Sequence, residues 1–142
     1  MKNIFKCGMT LIAIISFFGC NNNSDEINKE SIIIGTWQLV EIYQSSGGPG
    51  NWNDVENGYK YTFLSNGDFS SNRFSECTNG TYSIELNELI LDFGCDGFTT
   101  GIEKPEGIFI EKITFESGYL FINPTYIFCV EGCNYKFKKI SA

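Results

Sequence analysis

From residue 32 to the end of the chain, apolar and polar residues alternate at period two, and turn residues recur about every 8 to 12 positions. Valine, isoleucine, threonine and aromatic residues crowd these stretches, and no segment carries a sustained helical stripe. The pattern predicts strands over 35–43, 59–64, 69–74, 81–85, 88–93, 108–115, 119–122, 126–129 and 133–140. Asn66-Gly67 turns the second strand into the third, because both residues tolerate positive φ. Pairing Tyr82 with Leu91 and Ile84 with Leu89 around Leu86-Asn87 gathers the apolar side chains on one face. A last hairpin around Val130-Glu131-Gly132 sets Ile127 opposite Tyr135 and Thr125 opposite Phe137. Two glycine-bearing loops, 45–58 and 94–107, interrupt the meander. Sequential strands joined mainly by tight turns are what an all-β, up-and-down antiparallel β-barrel of about eight strands requires, since closure removes exposed edges.

The chain begins differently. Lys2 and Lys6 flank an uncharged run over 7–18, too short to cross a bilayer core of about 30 Å as a helix, so residues 1–19 read as a cleaved leader. Gly19-Cys20 closes that run with a residue lacking a side chain and a thiol suited to acylation. This pair resembles the lipobox of bacterial lipoproteins, although Phe17 and Phe18 are bulkier than that pattern usually carries. The resemblance implies a diacylglyceryl and palmitate-type anchor on Cys20, an outer-membrane location, either periplasmic or surface-exposed, and a membrane partner reached through lipid. The competing reading is an ordinary secretory leader. Residues 20–31 read as a polar tether, in which Ser24-Asp25-Glu26 resembles the acidic surface-export signals of some envelope lipoproteins. Residues 32–142 then form one domain.

Composition narrows the chemistry. The net charge of −7 becomes −9 once Lys2 and Lys6 leave, which disfavours nucleic acid as a partner. Histidine is absent, removing imidazole acid–base catalysis, histidine-activated nucleophiles and the commonest zinc ligand. No catalytic residue, metal or cofactor is expected, and the chain reads as a non-enzyme. Scattered acids (Asp92, Asp96, Glu103, Glu106) are the nearest approach to a carboxylate pair, and no spacing joins them. Of six cysteines, Cys77, Cys95, Cys129 and Cys133 remain after Cys7 leaves and Cys20 is acylated. In an exported chain they predict disulfides; the hairpins bring Cys129 opposite Cys133 and Cys77 near Cys95, with a four-thiolate zinc site as the rival.

Gly35-Thr36-Trp37, Tyr61-Thr62-Phe63 before Asn66-Gly67-Asp68-Phe69, Gly80-Thr81-Tyr82-Ser83-Ile84 and the closing Tyr135-Lys136-Phe137-Lys138-Lys139 stand in an order similar to the bacterial lipocalin-like domain. That resemblance implies that Gly35 and Trp37 form the barrel base, Trp37 plugging the closed end beneath a basic side chain. Lys136, Lys138 and Lys139 are the candidates, because Arg73 is the sole arginine and lies mid-chain. It also implies a cavity for a small apolar or amphipathic ligand. An eight-stranded barrel either fills with side chains or holds one small molecule. Tyr59, Tyr61, Phe63, Tyr82, Phe93, Phe115, Phe121 and Phe137 are the interior candidates. Trp52, in the first long loop, is expected to overhang the open end as a lid or stacking residue, against the alternative of folding back over the core. The remaining alternative is a filled barrel serving a structural or protein-interaction role in the envelope, with no protein partner legible.

Overall fold

In the computed structural model of the protein, the described residues are 29–45, 48–127 and 133–142. A five-residue helix, α1 (Lys29–Ile33), leads into nine strands: β1 (Gly35–Gln44), β2 (Asn51–Asp54), β3 (Lys60–Phe63), β4 (Asp68–Ser71), β5 (Asn79–Glu85), β6 (Glu88–Phe93), β7 (Ile108–Glu116), β8 (Tyr119–Pro124) and β9 (Asn134–Ser141). From β3 to β9 each strand pairs with the next, and β1 joins β9 to β3, so these eight close an antiparallel barrel. The ninth, β2, pairs only with the second half of β1, Tyr43 opposite Trp52.

Alternation puts one face of each strand inside. On β6 Leu89, Leu91 and Phe93 are buried; on β8 Leu120 and Ile122 are. Tyr82 faces Leu91 and Ile84 faces Leu89, the pairing that the apolar pattern requires. β1 changes parity at a bulge, where Leu39 pairs with Phe137 but Glu41 pairs with Lys136. Trp37 and Leu39 therefore point inward before the bulge, while beyond it Ile42 joins the core and Glu41 meets Lys136 in an ion pair outside.

The barrel has two unlike ends. One gathers the start of β1, the tight turns at 64–67, 86–87 and 117–118, and the end of β9; the other gathers the longer segments 55–59, 72–78 and 94–107 and the chain after β8. The first end is closed by Trp37, whose Nε1 donates to the Ile33 carbonyl at 2.7 Å. Lys139 Nζ lies 5.3 Å from the Trp37 ring centroid and donates to the Ile32 carbonyl at 3.1 Å. Of the three candidate lysines, then, Lys139 covers the indole. Gly35 makes this closure possible: its φ is +118°, and a Cβ there would lie 2.5 Å from the Ser141 carbonyl oxygen.

Three expectations change. The last hairpin does not pair as the pattern suggested: β8 itself lies beside β9, Leu120 opposite Phe137 and Ile122 opposite Tyr135, so neither Thr125 nor Ile127 is in the ladder. Residues 119–122 and 126–129 are both continuous apolar runs, and the ladder with β9 takes the first. Cys133 is disulfide-bonded; Cys129, its expected partner, lies outside the described residues. Residues 29–31, read as tether, belong to α1. Phe121 is on the outer face, because Leu120 and Ile122 take the inward positions of β8.

Candidate functional site

The interior is filled rather than hollow. Tyr61, Phe63, Phe69, Phe109 and Phe137 are at most 2% exposed, and edge contacts such as Phe69–Phe93 at 5.0 Å and Phe109–Tyr126 at 5.1 Å link them into a continuous aromatic packing. Grooves of about 610 and 430 Å³ open on the outer wall and beside α1, and one of about 530 Å³, lined by Phe74, Cys95, Phe98 and Thr100, opens at the mouth; none is lined by Arg73, Glu111 or Tyr126.

Polar chemistry enters this packing at the open end. After β4 the chain folds back across the mouth: Ser71 Oγ accepts from the Arg73 amide, and Asn72 Oδ1 accepts from the Lys60 amide. That reversal sends the Arg73 side chain into the barrel. One guanidinium nitrogen donates to Tyr61 Oη at 2.9 Å and Glu111 Oε1 at 3.0 Å, and the other to Tyr126 Oη at 2.8 Å. Tyr126 in turn donates to Glu111 Oε1 at 2.7 Å. Tyr61 is on β3 and Glu111 on β7, four places apart around the eight-strand circle, so Arg73 bridges opposite walls. The Phe74 and Phe109 rings lie 4.9 and 5.4 Å from its guanidinium carbon.

Burial works against the Arg73 charge, but Tyr61, Tyr59, Glu111 and Tyr126 around it outweigh that effect and hold the guanidinium protonated. Burial, then the Glu111 charge, pushes the Tyr61 and Tyr126 hydroxyls well above the ordinary tyrosine range, so both remain hydrogen donors at any physiological pH. One group is left over. Glu111 is 1% exposed, and its Oε2 has no hydrogen-bond partner among the described residues. A buried acceptor of this kind costs about 1–3 kcal/mol, more when charged, and is rare in folded proteins. It is chemically suited to a hydroxyl, amide N–H or ammonium donor.

The mouth is braced covalently. Cys77 and Cys95 are bonded, tying the segment that carries Arg73 and Phe74 to the 94–107 loop, whose Phe98 packs on Phe74 at 5.2 Å. The pairing removes two ligands from the rival zinc site. Glu103 staples the same loop from within: its carboxylate accepts from the Thr100 and Gly107 amides, each at 3.0 Å, and from the Thr100 hydroxyl. Burial alone would raise its pKa, but the hydrogen bonds from Thr100, Thr99 and Gly107 prevail and hold the carboxyl far below the usual carboxylate range.

The sequence candidates distribute otherwise. Asp92, Asp96 and Glu106 are exposed, and Glu103 is committed to its loop, so no carboxylate pair forms among the four. Trp52 does not overhang the mouth. It lies on β2, held to the outer wall by Tyr43 at 5.5 Å and Phe121 at 5.9 Å, with Lys136 Nζ 5.9 Å from its ring. Pairing with β1 beyond the bulge decides this, since Tyr43 already faces out. Arg73, Glu111 and Tyr126 were not singled out in the sequence as site residues. Their only signal was an arginine without companions and a glutamate on the otherwise apolar inward face of a strand.

A closed antiparallel barrel, plugged at one end by an indole under a basic side chain and entered at the other through long segments, defines a lipocalin-like protein. The model of the lipocalin-like domain family matches residues 33–120, more than half of the chain, and the protein belongs to that family. Among solved structures, it is similar to a lipocalin-like protein from Bacteroides uniformis ATCC 8492, at 23% identity over 77% of this chain and 99% of that one, with a TM-score of 0.50. That likeness speaks to the fold. No curated protein matches the chain.

Proposed function

We propose that the chain is an envelope lipoprotein, acylated on Cys20 after removal of residues 1–19, whose barrel takes one small amphipathic ligand at its open end. The ligand's polar end donates a hydrogen bond to Glu111 Oε2, and its apolar remainder lies among Phe74, Phe98 and Tyr126. The barrel fold fits such a role, and the partnerless buried oxygen of Glu111 is the observation that carries it. A buried ion pair is seldom retained for stability, because packed apolar residues serve as well or better. An arginine and a glutamate kept inside an aromatic core are better explained by recognition than by folding. No chemical step is assigned to the site.

The packed interior favours a second reading, a filled barrel that serves as a structural or interaction module of the envelope. Native mass spectrometry of protein isolated from its own membrane separates the two. Ligand binding gives a discrete added mass on the folded protein that disappears on denaturation and is absent from Glu111→Leu. Bare wild-type protein, folded and acylated, supports the filled module.

A further inference from the structure

The closed end presents apolar side chains to solvent. Leu86, at the β5–β6 turn, is 92% exposed; Leu64, at the β3–β4 turn, is 49%; and Ile140, near the end of β9, is 46%. Leu64 and Ile140 flank the start of β1, and Leu86 lies across the same end of the barrel, on the β5–β6 turn. Leu86 is the most informative. Its φ is +57°, in the left-handed region where asparagine or glycine is the usual choice and a bulky residue is an outlier. The position thus bears backbone strain and full apolar exposure together, two costs that asparagine would relieve. The turn is also held in place: Lys29 Nζ on α1 donates to Asn87 Oδ1 and to the Leu86 carbonyl.

α1 is where the chain from Cys20 enters the domain. Eight residues separate Cys20 from Lys29, which span at most about 30 Å fully extended and roughly 17 Å as a flexible coil. An anchor on Cys20 therefore keeps this end next to the bilayer. The mouth, where segments 72–78 and 94–107 gather, lies at the opposite end of the barrel.

We propose that the closed end is a membrane-docking face: Leu86, with Leu64 and Ile140 at the same end, inserts into the bilayer that holds the anchor, standing the barrel upright with its mouth facing away. This rests on acylation of Cys20. The tether supplies proximity, so a few side chains suffice to set orientation.

The test uses the full acylated protein in phosphatidylethanolamine–phosphatidylglycerol vesicles, with and without acyl-brominated lipid. An environment-sensitive fluorophore is placed on Leu86→Cys, Ile140→Cys or Ile102→Cys. Ile102, 54% exposed in the loop at the mouth, is the control. Docking gives blue-shifted, bromine-quenched emission at 86 and 140 and neither at 102. Adding Leu86→Asp to the 140-labelled protein abolishes most of that quenching, a loss of at least roughly tenfold in the docked-to-undocked ratio. Equal responses at 86 and 102, or none at 86, overturn the proposal. Intact mass of the same sample reads acylation separately. If Cys20 carries no lipid, the anchor reading falls, and the three-position comparison is repeated with Cys20→Ser protein held by an N-terminal hexahistidine tag on nickel-chelating lipid, with the same outcomes deciding.

Discussion

Replacing Arg73 by methionine keeps most of the side chain's length and removes its charge. Three hydrogen bonds go with it, to Tyr61, Glu111 and Tyr126, along with the cation over Phe74 and Phe109. Glu111 is left 1% exposed with Tyr126 as its one donor. Breaking one partner of a buried pair costs about 3–5 kcal/mol, because the other charge is stranded. Arg73→Met and Glu111→Leu should therefore each fall in that range, the second somewhat lower since the Arg73 side chain retains 14% exposure. In the double variant no charge is stranded and only the Tyr61 and Tyr126 hydroxyls lose their partners, so it should cost about as much as either single variant rather than their sum. The coupling between the two sites is then about 3 kcal/mol or more, read from urea unfolding with unchanged m values. Single variants that each cost less than about 1 kcal/mol, with an additive double, would refute a desolvated pair bridging the barrel walls.

At the closed end, Trp37→Phe loses the Nε1 bond to Ile33 and should lower stability by about 2 kcal/mol; Lys139→Ala should cost about 1 kcal/mol and Lys139→Arg almost nothing, because a guanidinium stacks on the indole equally well. Replacing both Cys77 and Cys95 by serine opens a link across 18 residues and should cost about 3 kcal/mol, with proteolytic nicking appearing first in the 94–107 loop. Glu103 has a lowered folded pKa, so its contribution is complete above the unfolded value of about 4.3 and is lost only as pH falls through the much lower folded value. Glu103→Gln should consequently be less stable at pH 7, and the gap should narrow below about pH 4 in acid-unfolding curves.

The barrel was legible because its strands bury one face and solvate the other: Leu89 and Leu91 against Tyr82 and Ile84 leave a single register that keeps apolar groups together. The same logic brought Cys77 next to Cys95. β2 escaped notice because all four of its residues are exposed and it is held by backbone bonds to β1, which leave no trace in an apolar pattern. Trp52 was misplaced with it. Arg73 falls in 69–74, read as one strand, whereas β4 ends at Ser71, and only the chain reversal that follows sets it against Glu111, 38 positions on. Long-range partnership of this kind depends on closure of the barrel. In the terminal hairpin two adjacent continuous apolar runs, 119–122 and 126–129, left the partner of the last strand open to both.

Whether Glu111 receives a ligand is read most directly by native mass spectrometry of the acylated protein taken from its own membrane, wild type beside Glu111→Leu. The expected result is one extra mass on folded wild-type protein, released on denaturation and missing from the variant. Folded wild-type protein that carries nothing, or an adduct retained equally by Glu111→Leu, would contradict recognition at the barrel mouth.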